Sequence, residues 1–329
     1  MSDPLGRLSP VVRLAPAKLN LTLAVIGRRP DGYHALHSVM VRLGLADRLS
    51  VAPSALDRDS LRVVGRDAGP IADNLVLRSI AGARAAARPR WPSAPSEPPF
   101  LAARLEKHIP VAAGLAGGSS DAAAALDAAL EAWGAELPPG ERARVAASLG
   151  SDVPFFLAGA PALVEGRGET VTPLAPITGA PLGVLVVTPA IALATPAVFA
   201  AYGAGSGPVA GGAARSASEH LAAEMRGGIA SRALLDRAAI LASANDLLPA
   251  SLAVLPELVP FRRSLTRLLG RPIGLSGSGP TCWALYASLD EAASAGREIE
   301  EALAGGRLVA PGAGAPFVHA TTLEGGDPS

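Results

Sequence analysis

Residues 109–133 read I-P-V-A-A-G-L-A-G-G-S-S-D-A-A-A-A-L-D-A-A-L-E-A-W. Gly114, Gly117 and Gly118 form a glycine-rich turn that leads through two serines into an alanine-rich helix. Glycine lets the backbone approach a bulky ligand and enter φ > 0 where needed. Ser119 and Ser120 stand where the helix is expected to begin, and either hydroxyl can cap its free N–H groups. A helix start carries about half a positive charge and several unpaired donors, which suits phosphate. Two readings follow from these residues: a polyphosphate cradle, or a helix with an ordinary Gly/Ser start.

The surrounding composition narrows the classes. With 329 residues the chain is long for one domain and comfortable for two. Hydrophobic residues make up 49% and charged residues 18%, enough for packed cores. A net charge of zero with only 4% aromatics argues against extended nucleic-acid binding, which needs a basic surface with stacking platforms. Neutrality overall leaves room for one local anion pocket. Cys282 is the only cysteine, so no internal disulfide can form. The five histidines show no H-E-x-x-H spacing. The first ten residues, M-S-D-P-L-G-R-L-S-P, lack the apolar core of a secretory signal, and a cytoplasmic setting is expected. Residues 170–214 carry no charge, but Pro173, Pro176, Pro181, Pro189, Pro196 and Pro208 would break a membrane-spanning helix repeatedly. The expected content is a buried strand, 183–188, then a loop and a short helix near 196–202.

Residues 11–26 alternate Leu19, Leu21 and Leu23 with Asn20 and Thr22, the period of a half-buried strand. Lys18 and Asn20 share the face opposite the leucines, either as a polar site floor or as a solvated strand face. Pro30, Asp31 and Gly32 then make a turn that presents Tyr33 and His34 before an apolar run, 39–45. A tyrosine beside a histidine can stack on a flat ring and hydrogen-bond its edge, or plug a core edge. Residues 47–64 suggest two further short strands, and Asp73 is the expected cap of a helix running to about residue 88. Pro/Ser-rich residues near Trp91 read as an exposed insertion, and 100–107 as a strand feeding the glycine turn.

Beyond the alanine-rich helix, 138–149 reads as a helix with Gly150 as C-cap. Asp152 follows, between that helix end and the apolar run V-P-F-F-L. It is either a partly desolvated, more basic carboxylate or a simple turn residue before Pro154. Residues 163–168 suggest a strand and tight turn, and 202–218 a mobile Gly/Ala/Ser stretch. Helices are expected over 218–224, 231–242 and 256–269, with another capped by Asn245 or Asp246. A second glycine-rich segment, L-S-G-S-G-P-T, precedes a strand over 281–286; a helix capped by Ser288 and a closing strand, 317–322, complete the chain. No G-x-x-x-x-G-K-[ST] occurs, and the strand after Gly277-Ser278-Gly279 makes that turn a poor dinucleotide fingerprint.

Five motifs occur in order: P-A-K-L-N-L, D-G-Y-H, P-V-A-A-G-L-A-G-G-S-S-D-A-A-A-A, L-G-S-D-V-P-F-F and L-S-G-S-G-P-T. Together they resemble the GHMP kinase superfamily. The first two resemble its branch that acts on 4-diphosphocytidyl-2-C-methyl-D-erythritol. The resemblance spans roughly residues 14–286. It implies an α+β, two-domain GHMP kinase fold, with domains at 1–175 and 176–329. The first would be a ribosomal-protein-S5-like α/β domain with a left-handed β-α-β crossover, the second a ferredoxin-like α+β domain. It implies ATP held by Pro110, Val111, Ala112, Ala113, Gly114, Leu115, Ala116, Gly117, Gly118, Ser119 and Ser120, and γ-phosphate transfer to the substrate's 2-hydroxyl in the non-mevalonate isoprenoid route. Lys18 and Asp152 match the family's catalytic pair, Tyr33 and His34 its cytosine contacts, and Asn20 a polar contact near the substrate's diphosphate or sugar. Mg²⁺ is expected with ATP, with Ser120 as a candidate hydroxyl ligand and no other metal ligand assigned. The expected partners are the small-molecule substrate and ATP, with no nucleic acid or membrane, in a monomer or weak homodimer. Alternatives are a kinase for mevalonate or homoserine, or a nucleotide-binding sensor without catalysis.

The chemistry agrees, since phosphoryl transfer needs alignment, charge neutralisation and help with the hydroxyl proton. Asp121, just inside the helix, is expected to complement the helix dipole. One departure stands out: Ala112, Ala113 and Ala116 occupy positions where relatives carry more glycine, and any that needs φ > 0 would be strained.

Overall fold

The computed structural model describes residues 10–88, 97–159, 161–204 and 212–325. The Pro/Ser stretch at Trp91, most of the Gly/Ala stretch after Gly203, and the first nine residues lie outside them. Three strands open the chain, β1 (Val11–Asn20), β2 (Ala24–Arg28) and the long β3 (His34–Pro53), followed by β4 (Ser60–Gly65), α1 (Leu75–Ala87) and β5 (Leu101–Lys107). The glycine turn feeds α2 (Gly117–Trp133), α3 (Pro139–Leu149) and the short α4 (Val153–Ala158). Next come β6 (Ala162–Gly166), β7 (Thr170–Pro173), β8 (Ile177–Thr178) and β9 (Gly183–Thr188), then α5 (Thr195–Ala204) and α6 (Ala213–Arg226). The remainder is β10 (Ile229–Ala230), α7 (Ser231–Asp236), α8 (Ala238–Ser243), α9 (Leu248–Val254), α10 (Leu258–Leu269), β11 (Gly274–Leu275), β12 (Cys282–Tyr286), α11 (Leu289–Ala304) and β13 (Phe317–Glu324). Among the described residues no helix is long and apolar enough to cross a membrane.

Several expectations need correcting. The single strand over 11–26 is two, because the chain leaves β1 after Asn20 and Leu23 bridges to Asn245. Residues 47–53 continue β3 instead of forming a new strand. Asn74, not Asp73, caps α1, its side chain accepting from Val76 N at 3.0 Å. Asp73 ends a preceding 3₁₀ turn. Residues 231–242 break at Arg237 into two short helices, and 213–218 belong to α6. Gly150 holds the C-cap place in extended backbone, with φ 172°.

The chain forms two compact units that interleave in sequence. Unit 1 comprises Met1–Ala17, Ala46–Val111 and Gly117–Leu157; unit 2 comprises Lys18–Leu45, Ala112–Ala116 and Ala158–Ser329. The expected family-domain boundary at 175/176 therefore falls inside unit 2.

In unit 1 the second half of β3 pairs antiparallel with β5, which pairs parallel with β4, so β4-α1-β5 is a β-α-β unit of adjacent parallel strands. Helix α1 packs on α2 and α3. Alanines at 122, 123, 125, 128 and 129 are buried and keep α2 slim, so Ser79 Oγ can donate to Ala122 O at 2.6 Å. Arg84 grips Asp59 with two bonds of 2.5 Å, and Asp59 also accepts Leu101 N at 2.8 Å, which ties α1 to the β5 start.

In unit 2, β11-β12-β9-β13 form an antiparallel sheet. The order β9-α10-β11-β12-α11-β13 makes a split β-α-β, ferredoxin-like arrangement. Strand β9 is buried on both faces, as its unbroken run G-V-L-V-V-T requires, and α11 lies against it and β13. Ser288 caps α11 as expected, accepting from Glu291 N at 3.2 Å. Strand β13 reaches β3 through Leu323 opposite Leu43, and β3 pairs further with β2 and β6.

Candidate active site

The ends of the glycine turn belong to unit 1. Pro110 and Val111 leave β5, and Val111 is exposed. Helix α2 starts at Gly117, earlier than the serines suggested, so Ser119 and Ser120 occupy its first turn instead of capping it. Gly117 has no room for a side chain, because a Cβ would come within 2.9 Å of Ile109 Cγ2 and Lys107 Nζ. Ser120 is buried and its Oγ has no hydrogen-bond partner among the described residues. An orphaned hydroxyl among the free N–H groups of a helix start fits a phosphate oxygen or a phosphate-bound cation. Asp152 is half-buried in the turn joining α3 to α4. A Cβ on Gly150 would lie 3.8 Å from Ser119 Oγ, so this turn neighbours the first turn of α2.

The middle of the turn, Ala112 to Ala116, belongs to unit 2 with Lys18 and Asn20. Both polar residues are only 3% exposed, which removes the solvated-face reading of β1. Lys18 Nζ donates to Asn20 Oδ1 at 2.6 Å and to Gly114 O at 2.8 Å, and Lys18 N donates to Leu115 O at 3.0 Å. The second glycine-rich segment closes on the first. Ser276 Oγ donates to Gly114 O at 2.9 Å, and Thr281 N to Ala113 O at 3.3 Å. Gly114 adopts φ 78° and Gly277 φ 57°. Any Cβ at Gly114 would sit 2.2 Å from Ser276 O, and one at Gly277 would sit 3.2 Å from Lys18 Nζ. Asn245 braces this segment through Nδ2 to Leu275 O and Gly277 O, at 3.0 and 2.9 Å.

Two of the three suspect alanines are in left-handed backbone, Ala112 at φ 54° and Ala116 at φ 53°; Ala113 is not. A side chain there costs on the order of 1 kcal/mol relative to glycine. Ala112→Gly and Ala116→Gly are each expected to raise the thermal midpoint slightly, by up to about 1 kcal/mol of stability, less the extra unfolded-chain entropy of glycine. Differential scanning calorimetry checks this, and a lower midpoint for both contradicts the strain.

Tyr33 and His34 also lie in unit 2. Asp31 shapes their turn, accepting Tyr33 N at 3.1 Å and Arg29 Nε at 3.1 Å. Tyr33 is 55% exposed, with the Arg167 guanidinium 5.2 Å above its ring. His34 stacks on Phe199 at 5.2 Å and meets the Tyr202 ring edge-on at 5.8 Å. Desolvation, and then the nearby Arg28 charge, lower the His34 pKa, so its ring is neutral at neutral pH and offers one donor and one acceptor.

Lys107 and Asp47 escaped the reading of the residues. Lys107 Nζ bonds Asp47 Oδ2 and, at 2.7 Å, Asp121 Oδ2; all three side chains are buried. Asp47 Oδ1 also accepts His108 N at 2.5 Å and Ile109 N at 2.9 Å. Asp121 thus pairs with a lysine instead of simply facing the helix dipole. Burial pushes its carboxyl up to about 7, against the pull of Lys107 and helped by Asp47. A signal was available: of 29 Lys and Arg residues only Lys18 and Lys107 are lysines. A chain that uses arginine for every other cation keeps its two compact ammonium groups for buried sites beside the glycine turn. Phe199 and Tyr202 were also missed as neighbours of His34.

The class of protein follows from fold and site together. Residues 74–160 match the family described as GHMP kinases N terminal domain. A crystal structure of 4-(cytidine 5'-diphospho)-2C-methyl-D-erythritol kinase aligns with a TM-score of 0.68 and 32% identity, over 96% of this chain and 100% of that one. Homoserine kinase from Cytophaga hutchinsonii aligns with a TM-score of 0.66 over 97% and 96% of the two chains but at 16% identity, a likeness of fold alone. The 4-diphosphocytidyl-2-C-methyl-D-erythritol kinase of Pelotomaculum thermopropionicum is 40% identical over 282 residues, 86% of this chain and 91% of its own. That of Parvibaculum lavamentivorans is 39% identical over 314 residues, covering 93% and 99%. This chain belongs to the 4-diphosphocytidyl-2-C-methyl-D-erythritol kinase family.

Proposed function

We propose that the protein transfers the γ-phosphate of ATP to the 2-hydroxyl of 4-diphosphocytidyl-2-C-methyl-D-erythritol, giving the 2-phosphate and ADP in isoprenoid precursor synthesis. The observation that carries this reading is the buried Lys18 ammonium, held by Asn20 Oδ1 and by the carbonyl of Gly114 in the middle of the glycine turn. A fixed positive charge against the phosphate-binding backbone favours the charge that builds on the transferring group. Asp152 accepts the proton of the 2-hydroxyl as its oxygen bonds to γ-phosphorus, and the bond from phosphorus to the bridging oxygen of ADP breaks. Residues 110–120 bind the phosphates through backbone N–H groups, and Ser120 Oγ supplies a further polar contact. Mg²⁺ would arrive with the nucleotide and neutralise β- and γ-oxygens. Among the described residues no cluster of three or more acidic, histidine or cysteine side chains could hold it by itself. Tyr33 stacks on the cytosine, the neutral His34 hydrogen-bonds its edge, and Asn20 contacts the substrate's polar stem.

We further infer family domains at 1–175 and 176–329, a cytoplasmic setting, and a monomer or weak homodimer. The test is ATP-dependent phosphorylation of the cytidyl substrate by purified protein, with mevalonate and homoserine as competitors. Turnover of either competitor but not of the cytidyl compound would reject the assignment. Tyr33→Ala is expected to raise KM for the cytidyl substrate on the order of tenfold or more, the size of one lost base–aromatic stack, with KM for ATP unmoved.

A further inference from the structure

Asn20 lies between two groups, and the direction of its amide is decided by a residue outside the proposed machinery. Its Nδ2 donates to Ser38 Oγ at 2.8 Å, while Oδ1 accepts from Lys18 Nζ at 2.6 Å. Ser38 lies on β3, fully buried, in a stretch otherwise occupied by Val39, Met40 and Val41. Its Oγ donates to the backbone carbonyl of Thr22 at 2.6 Å.

Each link leaves the next no choice. A carbonyl can only accept, so the single hydroxyl proton of Ser38 is committed to Thr22 O. Ser38 Oγ therefore offers Asn20 only lone pairs, and Asn20 must turn its NH₂ toward it. The amide oxygen is then left facing Lys18, whose ammonium can only donate. A flipped Asn20 would set donor against donor at Lys18 and acceptor against acceptor at Ser38, and every member of the chain is buried away from water.

We propose that Ser38 is a positioning residue for phosphoryl transfer: it orients the Asn20 amide and through it fixes the Lys18 ammonium against the Gly114 carbonyl. The proposal deepens the kinase reading above and rests on it for the role of Lys18. In Ser38→Ala the Asn20 NH₂ loses its acceptor, the amide is free to turn, and Lys18 loses one of its oriented partners.

Ser38→Ala is expected to lower kcat on the order of tenfold to a hundredfold, the scale of a hydrogen bond to a charged group, with KM for ATP unchanged. Ser38→Thr keeps the hydroxyl and should restore most of kcat. Ile299→Val, a core change in α11, is the control for general loosening and should leave kcat as it is. The second measurement needs no turnover. With only two lysines in the chain, lysine-selective ¹⁵N NMR yields two ammonium signals, and Lys18→Arg assigns them. In Ser38→Ala the Lys18 signal should shift or vanish by fast solvent exchange, while that of Lys107 holds. Should Ser38→Ala fail to fold, Ser38→Cys, whose thiol is a weak acceptor of similar size, carries the same expectation.

An unmoved Lys18 signal with unchanged kcat in a folded variant overturns the proposal. So does an equal fall of kcat in the Ile299→Val control. Absence of turnover by the unaltered protein would reject the kinase reading instead, and the lysine spectra would still decide whether Ser38 positions Lys18.

Discussion

Asp152→Asn is expected to reduce kcat by about 10²–10⁴-fold with little change in the affinity for ATP, the loss typical of a general base. Lys18→Met should fall as far, for a different reason. Methionine matches the stem and removes only the charge, so what is lost is stabilisation of the developing negative charge on the transferring group. It also strands Asn20 Oδ1, while Gly114 O keeps the Ser276 hydroxyl, so part of its effect will be on stability. Thermal midpoints separate the two contributions, since the Asp152 change should leave the midpoint nearly where it was. Lys18→Arg should not rescue. A planar guanidinium fork cannot reproduce the single ammonium held between Asn20 Oδ1 and Gly114 O. If the two residues serve one step, the double variant Lys18→Met/Asp152→Asn will be scarcely slower than either single one, as happens with groups that act as a unit. Full turnover by Asp152→Asn would remove it from the mechanism.

The second large effect is on folding. Lys107→Met leaves Asp47 and Asp121 buried together without their cation, and breaking a buried ion pair from one side costs about 3–5 kcal/mol. Urea denaturation should show the fall as a lower midpoint at unchanged slope. The position makes the loss local to the glycine turn. Asp47 holds the backbone at His108 and Ile109, where β5 ends, and Asp121 lies just past the first turn of α2. Lys107 joins the two, so both ends of the turn within unit 1 hang on one ammonium.

Asp121 adds a pH signature. Its folded pKa is raised from 3.8 to about 7, mainly by burial, so between those values the folded protein binds a proton that the unfolded chain has released. Its contribution is fully present below the unfolded pKa and is lost as pH rises toward 7. Asp121→Asn should accordingly flatten the decline in thermal midpoint between pH 4 and 7.5. A slope equal to that of the unaltered protein would mean that another group titrates there.

Much of the site was legible in the residues because its parts are local. A glycine run followed by small residues makes a turn and a slim helix wherever it occurs, and α2 begins two residues from where the serines placed it. Strand β9 has the bounds that its apolar run suggested, and Ser288 caps α11 through a contact three residues on. The five ordered motifs brought the family into view for the same reason, since each is a short span whose chemistry is contained in its own spacing.

What escaped depends on neighbours far away in the chain. Lys18 and Asn20 could have lined a wet strand face; they are buried because Ser38, Gly114 and Gly277 surround them. Asp121 looked like a dipole partner because nothing near it revealed that Lys107 and Asp47, 60 positions apart from one another, would meet at its side chain. The left-handed alanines belong here too. Ala112 and Ala116 bear a strain that no local propensity would choose, in a turn whose middle is bonded to Lys18, Ser276 and Thr281. The free energy of a buried polar group is set by the partners that reach it, and those partners are assembled by packing between segments distant in sequence.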